Sequence, residues 1–122
     1  MTRIDRDEER EKRIKMDIVV DAYNRHERAI GWYTYLEDTI RFPFEAQCIE
    51  EREVSPLEEG EDVRVNGMSS VEASQSEMFV TVDWMGRELG VPLAQVEPIK
   101  VDGETEEAVA DWHYWAGRGY EF

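Results

Sequence analysis

The sequence predicts an α+β domain with two N-terminal helices, a small SH3-like antiparallel β-barrel and a C-terminal helix. Three observations predict it. Apolar residues recur at helical spacing through the first forty positions, the period switches to two from Phe42 onward, and helical spacing returns near residue 105. A chain of 122 residues can bury one modest core, so it is expected to form one domain: 1–40 helical, 41–100 the barrel, 101–122 the last helix.

Residues 5–22 are expected to form the first helix. The mixed charges of "DRDEEREKRIKMD" allow i,i+4 pairs, and Ile14, Ile18 and Ala22 supply apolar positions. Asn24 is placed to cap a second helix over 25–40, with Glu27 three residues later completing a capping-box pattern. Ala29, Tyr33, Leu36 and Ile40 share one face of that helix, flanked by Trp32 and His26. Glu27, Gly31, Thr34 and Asp38 fall opposite, and Glu37 lies near the border beside Ile30.

Strands follow. Phe44, Ala46 and Cys48 alternate with Glu45 and Gln47, as on a half-buried strand. "SPLEEGEDVRVNG" is an acidic, turn-rich loop leading into a strand on which Val63 and Val65 share a face. "MSSVEASQSE" is polar and reads as a mobile loop. "EMFVTVDW" alternates Met78, Val80, Val82 and Trp84 against Phe79, Thr81 and Asp83, "MGR" is a tight hairpin connection, and "ELGVPLAQVEP" returns with Leu89, Val91 and Leu93 on one side. These four or five short strands with close turns predict the barrel. The last helix is expected over 105–116, capped by Thr105, with Val109, Trp112 and Ala116 inward and Gly117 and Gly119 stopping it.

Charge narrows the function. The chain carries 29 acids against 14 bases, a net charge of −15. Residues 1–40 hold ten acids and eight bases, whereas residues 41–122 hold nineteen and six. Phosphate recognition needs clustered Lys and Arg, so nucleic-acid binding is not expected, and an anionic membrane would repel the chain. No apolar run approaches the ~20 residues that span a bilayer, and the charged N-terminus lacks the apolar core of a secretory signal. Cys48 is the only cysteine. It excludes an internal disulfide and suits a reducing cytoplasm, where the protein is expected to reside. Such a surface attracts cations or a basic protein partner. Adaptation to salt would make the chain acidic throughout, and the first third is not.

Two groups of carboxylates are candidate cation ligands. Glu37 and Asp38 lie at the expected end of the second helix, where unpaired carbonyls already carry partial negative charge. Calcium takes six to eight oxygens from carboxylates, carbonyls and water, and a helix end with two acids offers the first two kinds together. The competing reading is that Arg41 neutralises the pair. The second group is "EEREVSPLEEGED", with Glu58, Glu59, Glu61 and Asp62 around Gly60, which lets the backbone turn sharply among them. Its competing reading is a solvated loop. The acids of "DGETEEAVAD" lie where a helix begins, which explains them without a metal, and Asp111 is a weak candidate. No EF-hand pattern occurs, so a calcium site would be assembled from distant segments.

Catalysis has little support. His26 and His113 are the only histidines, and His113 reads as a packed or rim residue. Cys48 alternates toward the core and reads as inert. No glycine-rich phosphate loop or Ser-His-Asp arrangement is evident, so no enzyme is expected.

The segments "MDIVVDAY", "GWYTYLEDTIRFPFEAQCIE", "SPLEEGEDVRV", "FVTVDW", "VPLAQVEPI" and "DWHYWAGRGYEF" resemble the cyanobacterial-type calcium-binding proteins of the CcbP family. They thread the chain from about Met16 to Phe122. The resemblance implies a soluble, acidic, non-EF-hand Ca2+ binder that buffers or regulates free calcium. It places the family's acidic positions on Glu37 and Asp38, and on Glu58, Glu59, Glu61 and Asp62. The alternative is an SH3-like interaction module that docks a basic partner, with calcium incidental.

Overall fold

The structure is a computed structural model that describes residues 7–19, 24–74 and 76–118. Helix α1 runs Glu8–Asp17, α2 Arg25–Thr39 and α3 Gly103–Gly117; between the last two lie β1 (Phe44–Cys48), β2 (Asp62–Met68), β3 (Phe79–Trp84), β4 (Arg87–Pro92) and β5 (Val96–Ile99). All pairings are antiparallel and the strand order is β4-β3-β2-β1-β5. The α+β class and the helix–sheet–helix order are as the sequence predicts. Closure is not: β4 and β5 are the two edges of an open sheet.

The departures are local. The first helix stops at Asp17, capped by Ile18, short of the expected Asp21 and Ala22, which lie outside the described residues together with Gly119. Asn24 caps α2 as expected, its Oδ1 accepting from Glu27 N–H at 2.9 Å, and its amide donates to the Glu27 carboxylate at 2.9 Å. The third helix begins earlier than expected, with Asp102 as N-cap, and Thr105 is buried inside the first turn. "ELGVPLAQVEP" is two strands: Leu93–Gln95 forms a 3-10 turn after which β5 crosses to pair with β1. An alternating pattern on one segment cannot announce that break, because Val91 before the turn, Leu93 within it and Val96 after it are all buried.

One face of the sheet is buried. Ala46, Val63, Val65, Val80, Val82 and Val91 lie on it, all at most 5% exposed, and in β1 to β3 they alternate with exposed or half-buried neighbours. The helices cover that face with aromatic rings. Trp32 is fully buried and meets Trp112 edge-on at 5.1 Å, Trp115 at 5.9 Å and Tyr35 at 6.1 Å. The sequence expected Tyr33 on the inner stripe with Trp32 beside it. The structure rotates the helix so that Trp32 points in and Tyr33 is half-buried, which leaves its hydroxyl free to act elsewhere.

Helix α1 is held by buried charge. Asp111 of α3 is fully buried and accepts from Arg13 Nη1 at 2.8 Å and Tyr35 Oη at 2.7 Å, with Arg10 Nε at 3.3 Å. Nearby, Tyr114 Oη donates to the buried Glu11 carboxylate at 2.7 Å and accepts from Asp7 N–H at 2.8 Å. The carboxylate raises the Arg13 pKa, chiefly through the hydrogen bond, and burial followed by that same acid raises the Tyr35 pKa. Asp111 is thus an internal counterion to Arg10 and Arg13. The α1 bases reach across to α3; one intrahelical pair, Glu11 to Lys15 at 3.5 Å, matches the expected i,i+4 pattern.

Candidate metal centre

Glu37 and Asp38 lie in the last turn of α2, which contains no basic residue. Both are exposed. Arg41 does not neutralise them. Its backbone N–H donates to Thr105 Oγ1 at 3.0 Å, and its guanidinium faces Asp102 at 3.7 Å. Among the described residues, no cation pairs with either acid. Two negative charges therefore remain at the negative end of the helix dipole, an arrangement that costs about 0.3–1 kcal/mol for each exposed charge.

Tyr33 links this helix end to the sheet. It sits one turn before Glu37, and its hydroxyl donates to the Ser69 carbonyl at 2.7 Å, just past the end of β2. Burial raises the Tyr33 pKa, as do the Glu37 charge, its hydrogen bond and the Glu72 charge. Glu37 and Glu72 thus act on one hydroxyl, beside a backbone carbonyl. Glu72 belongs to "MSSVEASQSE", which carries no periodic signal in the sequence. The Tyr33–Ser69 hydrogen bond brings that loop to α2.

The second group is a tight turn. Gly60 adopts φ +90°, a conformation that disfavours any side chain, and its N–H donates to Cys48 O at 2.8 Å. Glu61 is held from both sides: Oε1 accepts from Glu58 N–H at 3.0 Å and Oε2 from Trp84 Nε1 at 3.0 Å. Glu58, Glu59 and Asp62 are exposed, whereas Glu61 is half-buried. Trp84, which alternates with Val80 and Val82 on one face of the strand, is half-buried, and its indole N–H ties the β3–β4 hairpin to this acidic turn. Arg52, the one base in residues 50–62, pairs with Glu77 outside the group.

The two groups do not meet. Glu61 and Asp62 stand at the start of β2 and Ser69 follows its end, so its 7 residues separate them by about 20 Å of extended chain. Among the described residues no three Asp, Glu, His or Cys side chains converge on one point. The donors fit a hard cation all the same. They are carboxylate, carbonyl and hydroxyl oxygens, which suit calcium and leave positions for water, and no thiolate or imidazole lies among them.

The remaining candidates have structural roles. Cys48 is buried, its thiol donating to Glu50 O at 3.0 Å, and burial raises its pKa. His113 Nε2 donates to Leu93 O at 3.1 Å, and burial lowers its pKa. Asp102 is held below the ordinary carboxylate range by Thr105 and then by Arg41. No described helix is long and apolar enough to cross a membrane.

Fold and carboxylates together define a class: a small α+β protein that presents exposed oxygen donors suited to hard cations. The chain belongs to the CcbP family, described as calcium binding, whose family model matches residues 12–116. Two solved structures are similar over 100% of both chains: Anabaena CcbP, at 41% identity and TM-score 0.86, and a calcium binding protein in its calcium-binding form, at 40% and 0.86. No curated protein matches at a significant level.

Proposed function

We propose that this protein binds calcium without an EF-hand and serves as a cytoplasmic, acidic buffer or regulator of free calcium, with no catalytic step. The observation that carries the reading is the pair Glu37 and Asp38, exposed at the negative end of α2 with no cationic partner among the described residues. The primary site centres on Asp38 with Glu37, and binding draws in Glu72 and the Ser69 carbonyl, which meet Glu37 at the Tyr33 hydroxyl, from the sheet side. A weaker site draws on Glu58, Glu59, Glu61 and Asp62. Binding relieves repulsion among carboxylates and braces α2 against the loop after β2. Affinity is expected on the order of micromolar or weaker, because no preformed loop cages the ion, and magnesium should compete poorly.

Calorimetric titration with calcium and then magnesium tests this on the wild type, Asp38→Asn and Glu72→Gln. Saturable calcium heat that vanishes in Asp38→Asn and weakens in Glu72→Gln is expected. Equal weak heats for both ions, abolished by sodium chloride, would reduce the acids to surface charge. The second reading is an SH3-like module docking a basic partner. The return of β5 to pair with β1 after a 3-10 turn supports it, because that order resembles an SH3-like sheet left open.

A further inference from the structure

The chain is short of bases, yet three of the six in residues 41–122 surround one cleft of about 500 Å³. Arg41 follows α2, Arg64 projects from β2, and Lys100 follows β5. The cleft opens on the face of the sheet turned away from the helices. Glu45 of β1 is the direct cross-strand neighbour of Arg64 on one side and Ile99 on the other, and all three are exposed. Lys100 takes φ +52°, a left-handed turn that ends β5 beside this row.

These cations are available. Arg64 makes no ion pair or side-chain hydrogen bond with any described residue, although Glu45 stands directly opposite, and Lys100 likewise has no partner. Arg41 reaches Asp102 only at 3.7 Å, with its side chain 79% exposed. Three cations against Glu45 and Asp102 leave the lining net positive in a protein of net charge −15, and Asp83 of β3, the other cross-strand neighbour of Arg64, stands outside the lining, where Asn66 donates to it at 2.7 Å. Distant acids act weakly there, because the Debye length is about 8 Å at physiological salt. Pro43, Ile99 and Val101 supply an apolar wall. A guanidinium fork and an ammonium beside such a wall match an oxyanion joined to an apolar body.

We propose that this cleft binds a small organic oxyanion, a carboxylate or phosphate monoester, with Arg64 and Lys100 holding the charged end and the wall covering the rest. The site is separate from the carboxylates assigned to calcium and does not depend on them. The test is an amide NMR titration of the full chain with phenyl phosphate, with benzoate, and with benzyl alcohol as the uncharged control, at fixed ionic strength. Saturable shifts confined to residues 44, 45, 64 and 99–102 are expected for at least one anion. Phenyl phosphate alone assigns a phosphate site, benzoate alone a carboxylate site, and both a general oxyanion site. The double variant Arg64→Gln, Lys100→Gln should weaken binding about tenfold, the loss expected for a charge-assisted hydrogen bond. Glu45→Gln should instead tighten it about threefold by removing the acid between the cations. Non-saturating shifts, shifts shared by benzyl alcohol, or an affinity unchanged in the double variant would overturn the proposal.

Discussion

At the scale of single residues, three side chains decide most of what can be measured. Asp111 is buried among Arg10, Arg13 and Tyr35, so Asp111→Ala deprives two guanidinium groups of their buried counterion and leaves Arg13 only the exposed Glu107 at 3.8 Å. We expect a loss of about 3 kcal/mol in urea unfolding, the low end for breaking a buried pair, because both arginines stay about a third exposed. His113 sets a pH dependence. Burial lowers its folded-state pKa below the ordinary 6.5, so the unfolded chain binds the proton more readily. Its contribution to stability is present above pH 6.5 and is lost as pH falls through the lower, folded value. Urea midpoints should drop between pH 7.5 and pH 5, and His113→Gln should flatten that part of the profile. Trp84 is the third: it is half-buried and donates to Glu61, whereas Trp32, Trp112 and Trp115 are buried in the core. If calcium engages Glu61, Trp84 emission should change on titration, and Trp84→Phe should remove that change.

At the scale of elements, the approach of α1 to α2 depends on one glycine. A Cβ on Gly31 would lie 2.5 Å from the Ile18 carbonyl, a backbone atom that cannot step aside cheaply. Gly31→Ala gains about 1 kcal/mol of helix propensity and costs about 1–3 kcal/mol through overpacking. The variant should therefore be net destabilised in urea. The sequence placed Gly31 opposite the apolar stripe of its helix. What it could not contain was the position of the preceding helix end. The β3–β4 hairpin is the opposite case: "MG" read as a tight turn, and Met85 and Gly86 both take positive φ.

At the scale of the whole molecule, charge is the governing quantity. A net charge of −15 destabilises the compact state by self-repulsion, and ions that neutralise it should stabilise the fold. Sodium chloride is expected to raise the melting temperature gradually, through screening. Calcium should raise it at far lower concentration, by about 2.7 kcal/mol of added stability at a hundredfold excess over the dissociation constant. Magnesium should fall between them. A calcium response no steeper than that of sodium would remove the case for a specific site.

Much of the local structure was legible because it is written in short-range periodicity. The Asn24 cap, the alternation of Phe44, Ala46 and Cys48, the hairpin turn and the inward Val109 and Trp112 each depend on residues a few positions apart. So did the exposed acids at the end of α2, since a helix end and its dipole are local facts. The tertiary structure decided the rest: that the sheet stays open, that β5 leaves β4 to pair with β1, that Asp111 is a counterion, that Arg41 turns to Asp102, and that Glu72 comes up to Tyr33. Each is a meeting of segments far apart in the chain, set by how whole faces pack, and no spacing within one segment encodes where another will lie.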